Sequence, residues 1–146
     1  QEVEFVMLCC DANEPELSEK VQRQSNGYPN LRLVWNRSTE NYIDQMDALC
    51  ITSRNESQPL VLFEALARNV LPIGWEAGDV TNNYGFIKSR EESAKILADS
   101  VLKLYDNPKR WNNILDGKKA VLAKNHIWSR IFEQYRDIFN SFLKPA

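Results

Sequence analysis

The chain has 146 residues, the length of one ordinary domain, so we expect a single domain over residues 1–146. Its composition, 43% hydrophobic and 26% charged, excludes a disordered tail, and its apolar runs are far shorter than the ~20 residues of a transmembrane helix. The formal net charge of −2 argues against nucleic acid as the main partner. Residues 88–146 are nevertheless net basic, which indicates either solvated helix faces or peripheral contact with an anionic membrane.

Five short apolar runs along the chain have the length of β-strands. Most are solidly apolar rather than alternating, which is typical of strands buried on both faces of a parallel sheet. The runs are Val3–Cys10, Leu31–Trp35, Ala48–Thr52, Val70–Gly74 and Gly85–Lys88.

Helical patterns lie between and after these runs. The predicted helices are Glu14–Gln24, Ser38–Gln45, Pro59–Arg68, Glu91–Tyr105, Pro108–Ala123 and Ile127–Leu143. Ser89 and Glu92 form a capping box before the fourth helix, and Asn107 with Pro108 starts the fifth. Strands that alternate with helices predict an α/β, doubly wound, Rossmann-like fold with a mostly parallel sheet of about five strands and helices on both faces.

The last predicted helix has a wide apolar stripe. Its members are Trp128, Ile131, Tyr135, Ile138 and Phe142, with Phe132 and Phe139 beside them. Because the other helices already share the limited surface of the sheet, we expect the part around Tyr135–Phe142 to stay exposed and to mediate self-association. The alternative is that this helix packs on its own sheet.

Three cysteines, Cys9, Cys10 and Cys50, lie in apolar runs. Their odd number and the lack of paired CxxC spacing argue against a disulfide framework or a zinc site. We therefore expect free, buried cysteines and a reducing, cytoplasmic location.

One polar segment, residues 53–58, combines several features of a ligand site. It follows the carboxyl end of a strand, where open α/β sheets bind ligands, and the helix that starts at Pro59 offers free N–H groups to a phosphate. Glu56 lies in this loop and Glu64 lies on the helix. Glu64 has apolar neighbours and needs a polar partner, which either ligand hydroxyls or Arg68, four residues later, would provide.

Common catalytic motifs are absent from the sequence. It contains no GxGxxG or Walker phosphate loop, and no Asp and His cluster has metal-ligand spacing, so no metal ion is expected. The single histidine, His126, is expected to cap a helix or lie on the surface rather than to catalyse.

The segment from Ser53 to Ala67, with glutamates at its fourth and twelfth positions, resembles the E-x7-E signature of the retaining GT-B glycosyltransferases of family 4. The resemblance extends in family order over nearly the whole chain. Further matching segments are Asp47–Ser53, Val70–Gly74, Asp106–Trp111 and Ile127–Tyr135.

This resemblance implies the carboxy-terminal, nucleotide-sugar-binding domain of an enzyme of polysaccharide biosynthesis that needs no metal ion and no other cofactor. It makes Glu56 the catalytic residue beside the donor sugar and Glu64 the residue that binds the ribose hydroxyls. The other donor-binding positions that it implies are Trp35, Ser57, Gln58, Pro59, Leu60 and Gly78. The variant at residues 57–60 resembles enzymes that use UDP-hexoses.

The chain also departs from the family pattern. Nothing in it matches the family's first strand, glycine-rich turn and lysine, nor the acceptor-binding amino-terminal domain. We therefore expect either a part of a longer enzyme, inactive alone, whose glycan or lipid-linked acceptor binds the absent domain, or a small relative that lost the rest. In both cases we expect the strand order 2-1-3-4-5. Trp35 and Asn69 both stand where the family commonly has glycine, and asparagine is tolerated there because it adopts left-handed backbone readily.

Two other classes of function compete with a transferase. One is a catalytically inactive, Rossmann-like binding or assembly module. The other is a receiver-like domain, which requires a phosphorylatable aspartate at the end of the third strand, whereas the third run here ends in Thr52 and Ser53.

Overall fold

The apolar runs form parallel strands, and helices lie between them in the chain. The computed structural model describes residues 3–10, 14–76, 83–87 and 93–143. The strands are β1 (Phe5–Cys9), β2 (Leu31–Trp35), β3 (Ala48–Ile51), β4 (Leu71–Gly74) and β5 (Phe86–Ile87). The helices are α1 (Pro15–Ser25), α2 (Glu40–Ile43), α3 (Leu60–Ala67), α4 (Ala94–Tyr105), α5 (Pro108–Asn125) and α6 (Trp128–Leu143). The predicted α/β, Rossmann-like class is confirmed.

The chain divides into two compact units, residues 1–43 and 44–146. In the first, β1 and β2 pair in parallel, in a register that runs from Phe5 opposite Leu31 to Cys9 opposite Trp35. Helix α1 joins the two strands and contacts β2. Strand, helix and parallel strand make one βαβ unit.

The second unit contains a parallel sheet in the order β3-β4-β5. Ala48 lies opposite Leu71 and Ile51 lies opposite Gly74, so β3 and β4 end at the same edge. Helix α3 connects these strands and contacts both, while α5 contacts α3 and α4. The ladders in the two units contain the strand neighbours 2-1 and 3-4-5 that the sequence predicts.

The core of the second unit consists of aliphatic side chains from its helices and strands. Those that are 0–2% exposed are Leu62, Leu66, Leu71, Ile73 and Leu104. The strand backbones approach closely at the ends of β3 and β4, because a Cβ at Gly74 would lie 2.2 Å from the Ile51 carbonyl oxygen. Only glycine is compatible with that approach.

Helix termini agree with two predictions from the sequence. Asn107 Oδ1 accepts a hydrogen bond from the Arg110 amide at 3.0 Å, which confirms the start of α5. Asn69 follows α3 with φ of 65°, the left-handed conformation expected there. Ser93 caps α4, because the Ser93 hydroxyl accepts a hydrogen bond from the amide of the third helical residue at 3.4 Å. The predicted capping residues Ser89 and Glu92 lie outside the described residues.

The prediction of buried cysteines is wrong. Cys9 is half-buried, and Cys10 and Cys50 are exposed; all three thiols are free. Neighbouring side chains on a strand point to opposite faces, so Ile51 enters the core and Cys50 does not.

Helix α6 keeps its apolar stripe in solvent, as predicted. Tyr135, Ile138, Phe139 and Phe142 are 58%, 53%, 64% and 81% exposed, and none of the residues of α6 is buried. Helices α3, α4 and α5 supply the helical side chains that fill or line the core of this unit, whereas α6 supplies none. No helix within the described ranges is long and apolar enough to cross a bilayer.

Candidate functional site

The candidate site lies in the second unit, where β3 and β4 end. The loop from Thr52 to Gln58 leaves β3, and Pro59 leads into α3 with an extended backbone, φ −70° and ψ 109°. No side chain caps α3. The first amides of a helix have no partner within it, and they carry partial positive charge, so this end of α3 is suited to an anion such as a phosphate.

Glu64 extends from α3 into solvent. No described residue forms an ion pair with its carboxylate. The alternative partner, Arg68, instead donates two hydrogen bonds to Asp44, at 2.9 and 2.8 Å. The proposed ion pair of Glu64 with Arg68 is therefore wrong, because the longer arginine side chain reaches a carboxylate on another segment.

Leu60 and Glu64 are one helical turn apart and share a face of α3. Leu60 is 69% exposed, which is unusual for a large apolar residue at the start of a helix whose opposite side is fully buried. An exposed apolar side chain beside a carboxylate gives this face a mixed apolar and anionic surface.

The loop before α3 presents its other predicted site residues. Glu56 is half-buried, Ser57 and Gln58 are exposed, and Pro59 is buried. Buried Pro59 fixes the end of the loop, and its carbonyl oxygen accepts from the Leu62 amide at 3.0 Å. These four positions lead directly into α3, so they form one continuous segment with it after the carboxyl end of β3.

A residue that the sequence analysis missed joins this loop to β4. The indole Nε1–H of Trp75 donates to the backbone carbonyl oxygen of Ser53 at 3.1 Å. Trp75 directly follows the last residue of β4. A tryptophan at the carboxyl end of a predicted strand was the available sequence signal.

Phe63 of α3 forms an aromatic cluster with Tyr84 and His126. His126 Nε2 and Tyr84 Oη are 2.8 Å apart, and the ring of Phe63, next to Glu64 in the chain, lies 4.6 Å from the imidazole centroid. Tyr84 is 6% exposed. His126 follows the last residue of α5, and its backbone amide donates to the Leu122 carbonyl oxygen. Its imidazole is half-buried against Tyr84, a contact that the sequence analysis did not predict. These contacts fix α3 against the end of α5.

Lysine side chains of α5 reach neighbouring loops. The Lys118 ammonium donates to the carbonyl oxygen of Asn83 at 2.9 Å, and burial lowers the pKa of Lys118 below its usual value. Lys119 donates to Asn69 Oδ1 and so holds the turn that follows α3. Both lysines therefore stabilise loops of the second unit.

Two predicted donor-binding residues lie elsewhere. Trp35 is the half-buried last residue of β2, in the first unit. The left-handed position follows it at Asn36, with φ of 52°, so the tryptophan does not occupy a conformation that requires glycine. Gly78 lies outside the described residues. Among the residues that are described, no cluster of three or more His, Cys, Asp or Glu side chains could hold a metal ion.

Comparison with known proteins adds the fold relationship. No family model and no curated protein matches the sequence. A glycosyltransferase from Rickettsia africae superposes with a TM-score of 0.77 at 15% identity, over 100% of this chain and 41% of that one. Anabaena HepE in complex with UDP gives 0.75 at 15% identity, over 95% and 41% of the two chains. The pneumococcal O-GlcNAc transferase GtfA, in complex with UDP and GlcNAc, gives 0.67 at 15% identity, over 97% and 30%.

The chain thus shares its Rossmann-like fold with part of these structures. It spans about two fifths of the length of the first two structures. At this level of identity the likeness concerns the fold.

Proposed function

We propose that residues 1–146 form the nucleotide-sugar-binding domain of a retaining glycosyltransferase of GT-B family 4. The full enzyme moves a hexose from a nucleoside-diphosphate sugar to a glycan or lipid-linked acceptor. The observation that supports this most is the unpaired, exposed Glu64 on an α3 that no side chain caps, directly after β3. That arrangement offers a carboxylate and free amides to one ligand.

The proposed roles follow from the chemistry of each group. The Glu64 carboxylate accepts hydrogen bonds from two ribose hydroxyls, since an ionised carboxylate is an acceptor only. The first amides of α3, around Pro59 and Leu60, face the diphosphate and stabilise the negative charge that develops as it departs. Glu56 lies beside the donor sugar, and Ser57 and Gln58 contact the same end of the donor.

The donor is proposed to be a UDP-hexose. Two of the similar structures hold UDP, and the segment from Ser57 to Leu60 resembles enzymes that use such donors. Trp35 and Gly78 are proposed to contact the base and the diphosphate. No metal ion and no cofactor takes part in this proposal.

The acceptor is proposed to bind a domain that the chain does not include, because the chain spans about two fifths of the similar enzymes. In this proposal the isolated chain binds the donor weakly and does not catalyse sugar transfer. The proposed location is the cytoplasm, at the inner face of the membrane where lipid-linked acceptors are used. The exposed stripe of α6 is a candidate surface for self-association.

A catalytically inactive binding or assembly module is the second candidate. Three basic side chains of the second unit favour it. Arg68, Lys118 and Lys119 donate hydrogen bonds to protein oxygens, whereas a transferase would use such cations to bind the diphosphate. Donor binding without transfer, even with the acceptor domain restored, would identify this alternative.

The first experiment tests binding of UDP, GDP and ADP and their glucose conjugates to the 146-residue chain. NMR or calorimetry detects the binding. We expect UDP and UDP-glucose to bind, with chemical-shift changes in residues 56–64. The absence of binding by all three nucleoside diphosphates would contradict the proposal. Selective binding of another base would correct only the identity of the donor.

A further inference from the structure

The two chain segments that leave β3 and β4 are joined by one side chain. Ile51 and Gly74 lie opposite each other, so the following residues emerge side by side at the edge of the sheet. From there the indole of Trp75, which is half-buried, donates to the Ser53 carbonyl oxygen at 3.1 Å. The bond spans 22 residues of sequence and lies at the beginning of the Glu56 loop.

We propose that Trp75 is a positioning residue, which holds the Glu56 loop in the conformation that presents Glu56 to the donor sugar. This rests on the proposed function, in which Glu56 lies beside that sugar. Trp75 itself touches no donor atom in this proposal. It acts through Ser53, three residues before Glu56 in the chain.

The backbone next to this loop is held on both sides. At its far end Pro59 is buried and bonded to the first turn of α3. At its near end Thr52 is exposed, so the ladder of β3 stops fixing the backbone at Ile51. The Trp75 bond extends that order to Ser53, three residues before Glu56.

Tryptophan suits this task for a physical reason. Its rigid ring has two side-chain torsions, so it places a donor with a smaller loss of conformational entropy than a flexible amide such as glutamine. Its indole offers a donor and no acceptor, which matches a backbone carbonyl. Gly74, the residue before Trp75, allows the backbones of β3 and β4 to approach closely.

The structural part of the test is backbone amide exchange in the intact 146-residue chain. Trp75→Phe keeps an aromatic ring and removes the N–H, and Trp75→Leu removes the N–H in a different shape. We expect both to raise exchange of the amides in residues 53–58 by about fivefold, the effect of one neutral hydrogen bond. The matched control is Trp128→Phe, at a ring that is 74% exposed on α6. Unchanged loop exchange in both Trp75 variants would overturn the positioning role.

The functional part compares two ligands. Glu64 and the amides of α3 bind UDP, so UDP affinity of Trp75→Phe is expected to stay within twofold of the unchanged chain. UDP-glucose affinity is expected to fall about fivefold, because only the hexose depends on the Glu56 loop. Equal weakening of both ligands, together with a lower melting temperature, would show a merely structural role and overturn the proposal.

The two proposals fail in different ways. If the unchanged chain binds none of UDP, GDP and ADP and none of their glucose conjugates, the proposed function and the positioning role fall together. If the unchanged chain binds both and Trp75→Phe binds UDP-glucose equally well, only the positioning role of Trp75 is overturned.

Discussion

Replacement of Glu64 by alanine separates ligand binding from stability. In the structure this carboxylate is exposed, and no described residue forms an ion pair with it. Its removal therefore breaks no intramolecular ion pair, and alanine is at least as good a helix former as glutamate. We expect the free energy of unfolding to change by less than about 0.5 kcal/mol, as for ordinary surface positions.

Binding of UDP should respond much more strongly. Hydrogen bonds from ribose hydroxyls to a charged acceptor contribute about 1–3 kcal/mol, which corresponds to a roughly 5- to 150-fold loss of affinity. Calorimetry or NMR titration with UDP measures the affinity, and urea unfolding measures stability. The control is Glu133→Ala, which removes an exposed carboxylate from α6.

Two results would refute the assignment of Glu64. One is UDP affinity within twofold of the unchanged chain together with a melting temperature several degrees lower, which would make Glu64 a structural residue. The other is an equal loss of affinity in Glu133→Ala, which would make the effect one of overall charge. Glu64→Gln tests the charge alone, because the amide keeps the shape of the side chain.

Three further predictions concern catalysis, association and packing. In the full-length parent, Glu56→Gln is expected to lower kcat and leave UDP affinity nearly unchanged; equal losses would place Glu56 elsewhere in the site. The isolated chain is expected to self-associate through α6, and Phe139→Glu to make it monomeric in light scattering, whereas Leu102→Glu, at a 51% exposed residue of α4, leaves association intact. A strictly monomeric unchanged chain would contradict this. Gly74→Ala is expected to lower the free energy of unfolding by about 1–3 kcal/mol in urea, since the added Cβ meets a carbonyl oxygen at 2.2 Å, while Gly117→Ala, in open space on a helix, raises it by about 0.5–1 kcal/mol. Equal effects at the two glycines would refute the packing argument.

Local patterns determined the elements of this protein. A run such as Leu31–Trp35 is apolar at most positions and becomes a strand with the same bounds, because a short apolar run of this length favours a strand. Asn107 with Pro108 starts α5 for equally local reasons, since a side-chain cap and a fixed φ act within one turn. The alternation of these elements is sufficient to predict a parallel α/β fold.

The composition of a short run did not determine which of its side chains are buried. The apolar runs around Cys10 and Cys50 indicate burial, yet alternation along a strand exposes one side of it. Composition in a short window does not specify which face meets the core.

The partners of polar side chains were decided by the tertiary structure alone. Arg68 pairs with Asp44 across 24 residues, Trp75 with Ser53 across 22, and His126 with Tyr84 across 42. Each pair depends on where crossovers and strand register bring two distant segments together, and no spacing along the chain encodes that. The sequence therefore predicted Glu56 and Glu64 as site residues, because their chemistry is local to one loop and one helix. The bond from Trp75 to that loop exists only because β3 and β4 lie side by side and end at the same edge.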